Sequence, residues 1–334
     1  MVLEAEMFRK PLILCRNASV LIVTMLLADQ LVWRERAPLP QPRAGYMAGV
    51  VDRQLVIAGG SYWENDKKIW TSRVDLFDPA ADSWRSGTPL PEPRSDSACI
   101  SYKNALYVFG GGAGGEVRRD AMVFRGGKWS TLATATLPEP RIYSVAVEWR
   151  GSIFLVGGMT KATDYTTVKN SLWVWNPESP RAGWETLPSL PGPGLISHAV
   201  AVMGGRIYVF GGATTGGTDV INLASVYRFN SQTREWARLP DLPIARRAWW
   251  AVSLPERILL LGGYSDAFDD EVFEYDPASR AFQQVGRLPH GICDSKFFRI
   301  GPWVIGTGGE AGNKIRGQWT FQAELLPKWL RRPR

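Results

Sequence analysis

The sequence predicts an all-β fold, a closed ring of six four-stranded sheets. Three observations point to it: Gly-Gly pairs recurring roughly every fifty residues, a large aromatic between most successive pairs, and a composition suited to short strands and tight turns. Of the 334 residues, 34 are Gly, 23 Pro and 15 Trp, while charged residues make up only 21%. Many short strands need many glycines and prolines to turn between them, and such usage fits neither a helical bundle nor a disordered chain.

The repeat is read in chain order. Apolar strands end in Gly59-Gly60, Gly110-Gly111, Gly157-Gly158, Gly211-Gly212, Gly262-Gly263 and Gly308-Gly309. Strands at 55–58, 106–109, 207–210 and 258–261 carry this pattern, with glycine where the backbone turns sharply beside a neighbour. A variable loop follows each pair, then a second strand with an Asp-Pro or Asn-Pro turn, as at 74–79, 172–177 and 272–277. The third strand carries Trp84, Trp129, Trp184, Trp236 or Phe282 and leads to Leu-Pro, as in Leu90-Pro91-Glu92-Pro93-Arg94 and Leu137-Pro138-Glu139-Pro140-Arg141. Rings of that size are read as packing between sheets rather than as a sugar platform. Six such units are the repeat form of kelch blades and predict a six-bladed kelch β-propeller. One copy is split: residues 31–43 hold only the end of a repeat and residues 297–325 lack that end. The N-terminal strand is therefore expected to complete the last blade and shut the ring, leaving no open sheet edge there.

Residues 1–28 are expected to be a signal peptide or signal anchor, because Arg9, Lys10 and Arg16 precede an apolar run at 18–28 of signal-core length. Residues 29–334 then form the single propeller with a short basic tail, in a periplasmic or secreted protein with no other membrane span. The formal charge of +7 is spread singly along the chain apart from that tail, which argues against nucleic-acid binding. Cys15, Cys99 and Cys293 match neither a disulfide framework nor a zinc spacing. No metal or cofactor is expected: His198 and His290 are the only histidines, too few for a copper radical oxidase of the galactose oxidase kind.

In antiparallel blades the loop entering the innermost strand and the loop after Gly-Gly emerge on one face. At that entry stand Arg43, Arg94, Arg141 and Arg246, with Gly194 and Ile292 read as the remaining two equivalents. Four guanidiniums around one mouth would concentrate anions and grip a carboxylate in two-pronged fashion. The alternative is that each Arg satisfies carbonyls at its own blade junction. Tyr62 and Trp63 follow the first Gly-Gly and are expected to flank a ring-shaped ligand. Glu310 follows the last pair, and among cations it is expected to stay ionised near neutrality, as a general base would.

The segments 45–70 (GYMAGVVDRQLVIAGGSYWENDKKIW) and 305–316 (IGTGGEAGNKIR) resemble the N-acetylneuraminate epimerase, or sialic acid mutarotase, family of kelch propellers, in circularly permuted order. The resemblance implies a catalytic pair at Glu310 and Arg316. It implies a mutarotase or epimerase acting on an acidic sugar such as N-acetylneuraminate; taken with the N-terminal segment and the mouth residues, the expectation is an exported enzyme in which Arg43, Arg94, Arg141, Arg246, Tyr62 and Trp63 bind substrate. The competing reading is a non-catalytic kelch propeller that holds a glycan or a protein partner at the same mouth, since the fold hosts many functions.

Overall fold

The computed structural model describes residues 31–217 and 219–330, so the expected signal segment lies outside the described residues. Each repeat starts beside the ring axis, reverses through a tight turn and returns. At Asp52-Arg53 and Lys103-Asn104 both turn residues have positive φ, 50° and 63° in the first and 45° and 57° in the second. Such turns match the right-handed twist of the flanking strands, which is why Asn, Asp and Gly recur at them.

Among the described residues these hairpins build six four-stranded antiparallel sheets. The first runs outward from the axis as Met47–Val51, Gln54–Ala58, Val74–Asp78 and Ser83–Ser86. The other innermost strands are Ala98–Tyr102, Val145–Trp149, Ala199–Met203, Trp250–Ser253 and Lys296–Ile300. The sixth sheet takes its outer strand from the start of the chain: Trp33 pairs with Ala323, Arg34 with Gln322 and Glu35 with Phe321. The expected closure is present. No described helix is long and apolar enough to cross a membrane.

The core sits between blades. One cluster joins Met47, Val56 and Leu76 of the first blade to Cys99, Leu106, Val108 and Phe124 of the second. Both faces of each sheet are therefore covered, and second strands such as Ala105–Phe109 are buried at every position.

The Gly-Gly pairs are the hinges between blades. The second glycine of each donates its N–H to the residue entering the next blade: Gly60 to Arg94 O at 2.8 Å, Gly111 to Arg141 O at 2.7 Å, Gly158 to Leu195 O at 2.9 Å and Gly212 to Arg246 O at 2.8 Å. Gly263 to Ile292 O at 2.8 Å and Gly309 to Arg43 O at 3.1 Å complete the set. Both glycines lie in the left-handed region, for example 60° and 79° at Gly110-Gly111. A Cβ on Gly157, Gly211 or Gly262 would meet the next blade's carbonyl oxygen at 2.5–2.6 Å. These bonds also correct one register: the fourth equivalent is Leu195, not Gly194.

The aromatics are inter-blade anchors, as read. Trp84 Nε1 donates to Ala37 O at 2.8 Å, Trp129 to Thr88 O at 3.0 Å, Trp184 to Ala135 O at 2.9 Å and Trp236 to Pro188 O at 2.7 Å. Each acceptor lies just past the outer strand of the preceding blade. Phe282 lacks the indole donor and instead packs on Tyr275, with ring centroids 4.7 Å apart.

Candidate functional site

Just past each hinge the chain must bend from the mouth into the innermost strand. The residue at that bend is left-handed in all six copies: Gly45 (φ 64°), Asp96 (57°), Tyr143 (58°), Ser197 (51°), Ala248 (53°) and Asp294 (53°). Five of the six are not glycine, and non-glycine residues held there carry a conformational cost that clusters at functional positions. Neighbouring backbone offsets it. Asp96 N donates to Gly45 O at 2.6 Å, Tyr143 N to Asp96 O at 3.0 Å, Ala248 N to Ser197 O at 2.7 Å and Asp294 N to Ala248 O at 2.7 Å. Gly45 N adds a fifth link through the Asp294 side chain, Oδ2 accepting at 2.6 Å.

This ring floors a mouth cavity of about 530 Å³. Its walls are the hairpins after Gly-Gly, each bridged to the bend before it, as Ala44 to Ser61 and Cys293 to Glu310. Aromatic wall residues are Trp63, Tyr143, Tyr165, Tyr264 and Phe268; carboxyls come from Asp96, Asp294 and Glu310; cations come from Lys68, Arg247, Lys314 and Arg316. Below the floor the channel pinches to about 60 Å³ around Ser144, Ser197 and Lys296. It then widens to about 270 Å³ against apolar residues such as Ile100, Val147, Val200 and Phe298.

Glu310 and Arg316 are brought together as cross-strand partners, with Arg316 Nη2 3.0 Å from Glu310 Oε1. Burial, then the charge of Asp294, push the Glu310 carboxyl up to about 7, against the opposing pull of Arg316. The expectation of a fully ionised Glu310 is corrected accordingly: reading the cations alone omitted desolvation and a second acid. Burial and Asp294 likewise raise Asp96 to about 6. The Asp96 charge and burial raise the Tyr143 phenol, which therefore stays protonated as a donor.

The four arginines do not ring the mouth. Arg43, Arg94, Arg141 and Arg246 are at most 1% exposed. Each is buried at its blade junction by a nearby acid, on its own blade or, for Arg141, on the connection that enters it. Arg43 pairs with Asp75 at 2.7 Å and Arg94 with Asp120 at 2.7 Å. Arg141 pairs with Glu139 at 2.8 Å, and Arg246 with Asp269 at 3.0 Å and Glu271 at 2.5 Å. They are junction residues, and their expected role in gripping substrate has no geometry behind it. Tyr62 is also displaced: strand alternation along Ser61–Glu64 puts Ser61 and Trp63 on the cavity wall and Tyr62 on the other face. Trp63 does line the cavity, but Lys314 Nζ already lies over its ring, 5.1 Å from the centroid.

Sequence reasoning missed Asp96, Tyr143 and Asp294, the residues nearest the axis. The signal was there, two positions after Arg94, Arg141 and Ile292, had the repeats been aligned on the bend instead of on the arginines.

Six blades, Gly-Gly hinges and closure by the N-terminal strand define a kelch-repeat β-propeller. A kelch motif model matches residues 42–91 and 194–243. The chain is 24% identical over 271 residues to Kelch-like protein 25 of Xenopus tropicalis, covering 79% of this chain and 36% of that protein. It is 28% identical over 274 residues to Kelch-like protein 35 of Mus musculus, covering 77% and 43%. It is 25% identical over 295 residues to Kelch-like protein terF of Aspergillus terreus, covering 83% and 52%. The matched region is thus between 36% and 52% of these relatives' own lengths. They are Kelch-like proteins and not sialic acid mutarotases, and this overturns the reading of the chain as a sugar mutarotase.

Proposed function

We propose that the chain is a non-catalytic, protein-binding kelch propeller whose mouth face holds a segment of a partner protein. The observation that carries the reading is where exposed apolar surface lies. Of the exposed large hydrophobics among the described residues, Val32, Ile221, Ile244 and Ile315, three sit on mouth-face connections. Ile221 and Ile315 belong to hairpins that follow Gly-Gly, and Ile244 lies on the crossing into the fifth blade. None of the three lines the mouth cavity itself, and exposed apolar residues shared by one face mark a protein contact surface more than a catalytic one. A glycan would want bare aromatic faces, yet Lys314 covers Trp63 and Arg247 lies 4.5 Å from the Tyr264 centroid. The Kelch-like relatives support the same class.

Both ends of the described stretch lie on the side away from this face. Trp33–Glu35 rises toward the mouth, so its start lies at the far side. Leu325, ahead of the short helix Pro327–Leu330, donates to Pro302 O at 2.7 Å in a far-side turn.

A phage library of random nine-residue peptides, panned on the immobilised full chain, tests the reading. Selected peptides should lose binding to the Ile315→Glu and Ile221→Glu variants and keep it with Val32→Glu. No selected peptide, or peptides indifferent to the two mouth variants, would remove it.

A further inference from the structure

Asp96 and Asp294 flank Gly45 on the axis, and both line the mouth cavity and the pinch below it. Among the described residues neither forms an ion pair. Asp96 Oδ2 accepts only the Ser95 hydroxyl at 2.8 Å, and Asp294 Oδ2 the Gly45 N–H at 2.6 Å. Two cations act on Asp96 without pairing with it: Lys296, whose Nζ lies 4.6 Å from the Trp250 centroid, and Lys68, whose Nζ lies 5.4 Å from that of Trp70. In the same wall Arg316, with a side chain only 8% exposed, has a single ion pair to Glu310, and its Nε has no acceptor. The cavity thus sets two carboxylates without an ion pair near a buried guanidinium whose Nε is unpaired. The mouth cavity holds about 530 Å³ and the space below its floor about 60 Å³, room for a peptide segment rather than a folded domain.

We infer that the partner segment inserts one basic side chain, Lys or Arg, down the ring axis between Asp96 and Asp294, with its backbone carbonyls toward Arg316 and the exposed isoleucines around it. The inference rests on the protein-binding reading and specifies the partner's chemistry. Charge complementarity at the axis decides the occupant: Lys68, Arg247, Lys314 and Arg316 also line the mouth, yet Asp96 and Asp294 carry no ion pair and gain most from a cation that brings its own hydrogen bonds. Asp96 titrates high because burial and the charge of Asp294 outweigh the opposing pull of Lys68 and Lys296, so a closer cation would still be favoured there.

The test uses the same nine-residue library on the full chain. Selected peptides should share one Lys or Arg, and its replacement by Gln should weaken binding at least tenfold to the native chain. Against Asp96→Asn, Asp294→Asn and the double variant that replacement should matter progressively less. Asn tolerates the left-handed bend and keeps an acceptor for Gly45, so the variants should fold with a melting temperature at or above native. Mouth-dependent peptides without a shared basic position, or an unchanged loss in the Asn variants, would overturn the inference and leave the protein-binding reading standing. No selected peptide at all would overturn both.

Discussion

Gly110 and Gly114 offer a matched test of how the ring is held together. Their backbone conformations are nearly the same, φ 60° and 61°. A Cβ on Gly114 would meet nothing within 4 Å, whereas one on Gly110 would be driven into the Arg141 carbonyl oxygen, with Leu137 Cδ1 at 3.2 Å. Gly114→Ala should therefore cost only the left-handed penalty, about 1–2 kcal/mol. Gly110→Ala must in addition displace the carbonyl that accepts the Gly111 N–H at 2.7 Å. Losing that buried bond adds about 1–3 kcal/mol, for a total of about 2–5 kcal/mol. Urea unfolding followed by tryptophan fluorescence reads both, with the midpoint shift converted at a common slope. Equal costs at the two positions would refute the assignment of the Gly-Gly pair as an inter-blade hinge and reduce it to a local turn.

Other outcomes follow from the same geometry. Asp96 and Glu310 titrate at about 6 and about 7 in the folded chain, above the unfolded values of ~3.9 and ~4.3. The stability they contribute is complete below pH ~4 and is lost as pH rises through their folded values. Asp96→Asn should remove its share, raising stability at pH 8 by on the order of 2–3 kcal/mol while changing little at pH 4, which paired urea melts would read. Arg43→Ala leaves Asp75 buried with only Arg73 beside it, so about 3 kcal/mol of stability should be lost in the same assay. Binding at the mouth by the fraction still folded should not change, since Arg43 faces the blade. Removing residues 31–37 deletes the outer strand of the sixth blade and the carbonyl that accepts from Trp84. Size exclusion and circular dichroism should then show loss of the cooperative monomer, and a native-like melt would contradict closure by this strand.

Much of the ring was legible because its constraints are local and repeated. Glycine pairs, Asp-Pro turns and outer-strand tryptophans each obey a backbone or packing rule that holds at every blade, so six imperfect copies reinforce one another. The mouth obeys no such rule. Arg43, Arg94, Arg141 and Arg246 were placed at the correct bend, yet whether a guanidinium turns to the axis or into its blade depends on acids such as Asp75 and Asp120, about 26 to 32 residues later in the chain. The ionisation of Glu310 was misjudged for a related reason, since Asp294 comes from the preceding bend and burial follows only from the closed ring. Tyr62 and Trp63 differ by one step of strand alternation, which the sequence leaves undetermined where a short hairpin has no apolar pattern to fix its register.

Amide hydrogen exchange of the full chain, free and saturated with the tightest selected nine-residue peptide, locates the binding face without reference to any single side chain. Slowed exchange is expected at the hairpins 61–70 and 310–316 and at the bends near 45, 96 and 294. If instead the slowing fell on the far-side turns near 52, 104 and 302, or was spread over the outer strands, the mouth would not be where this propeller meets its partner.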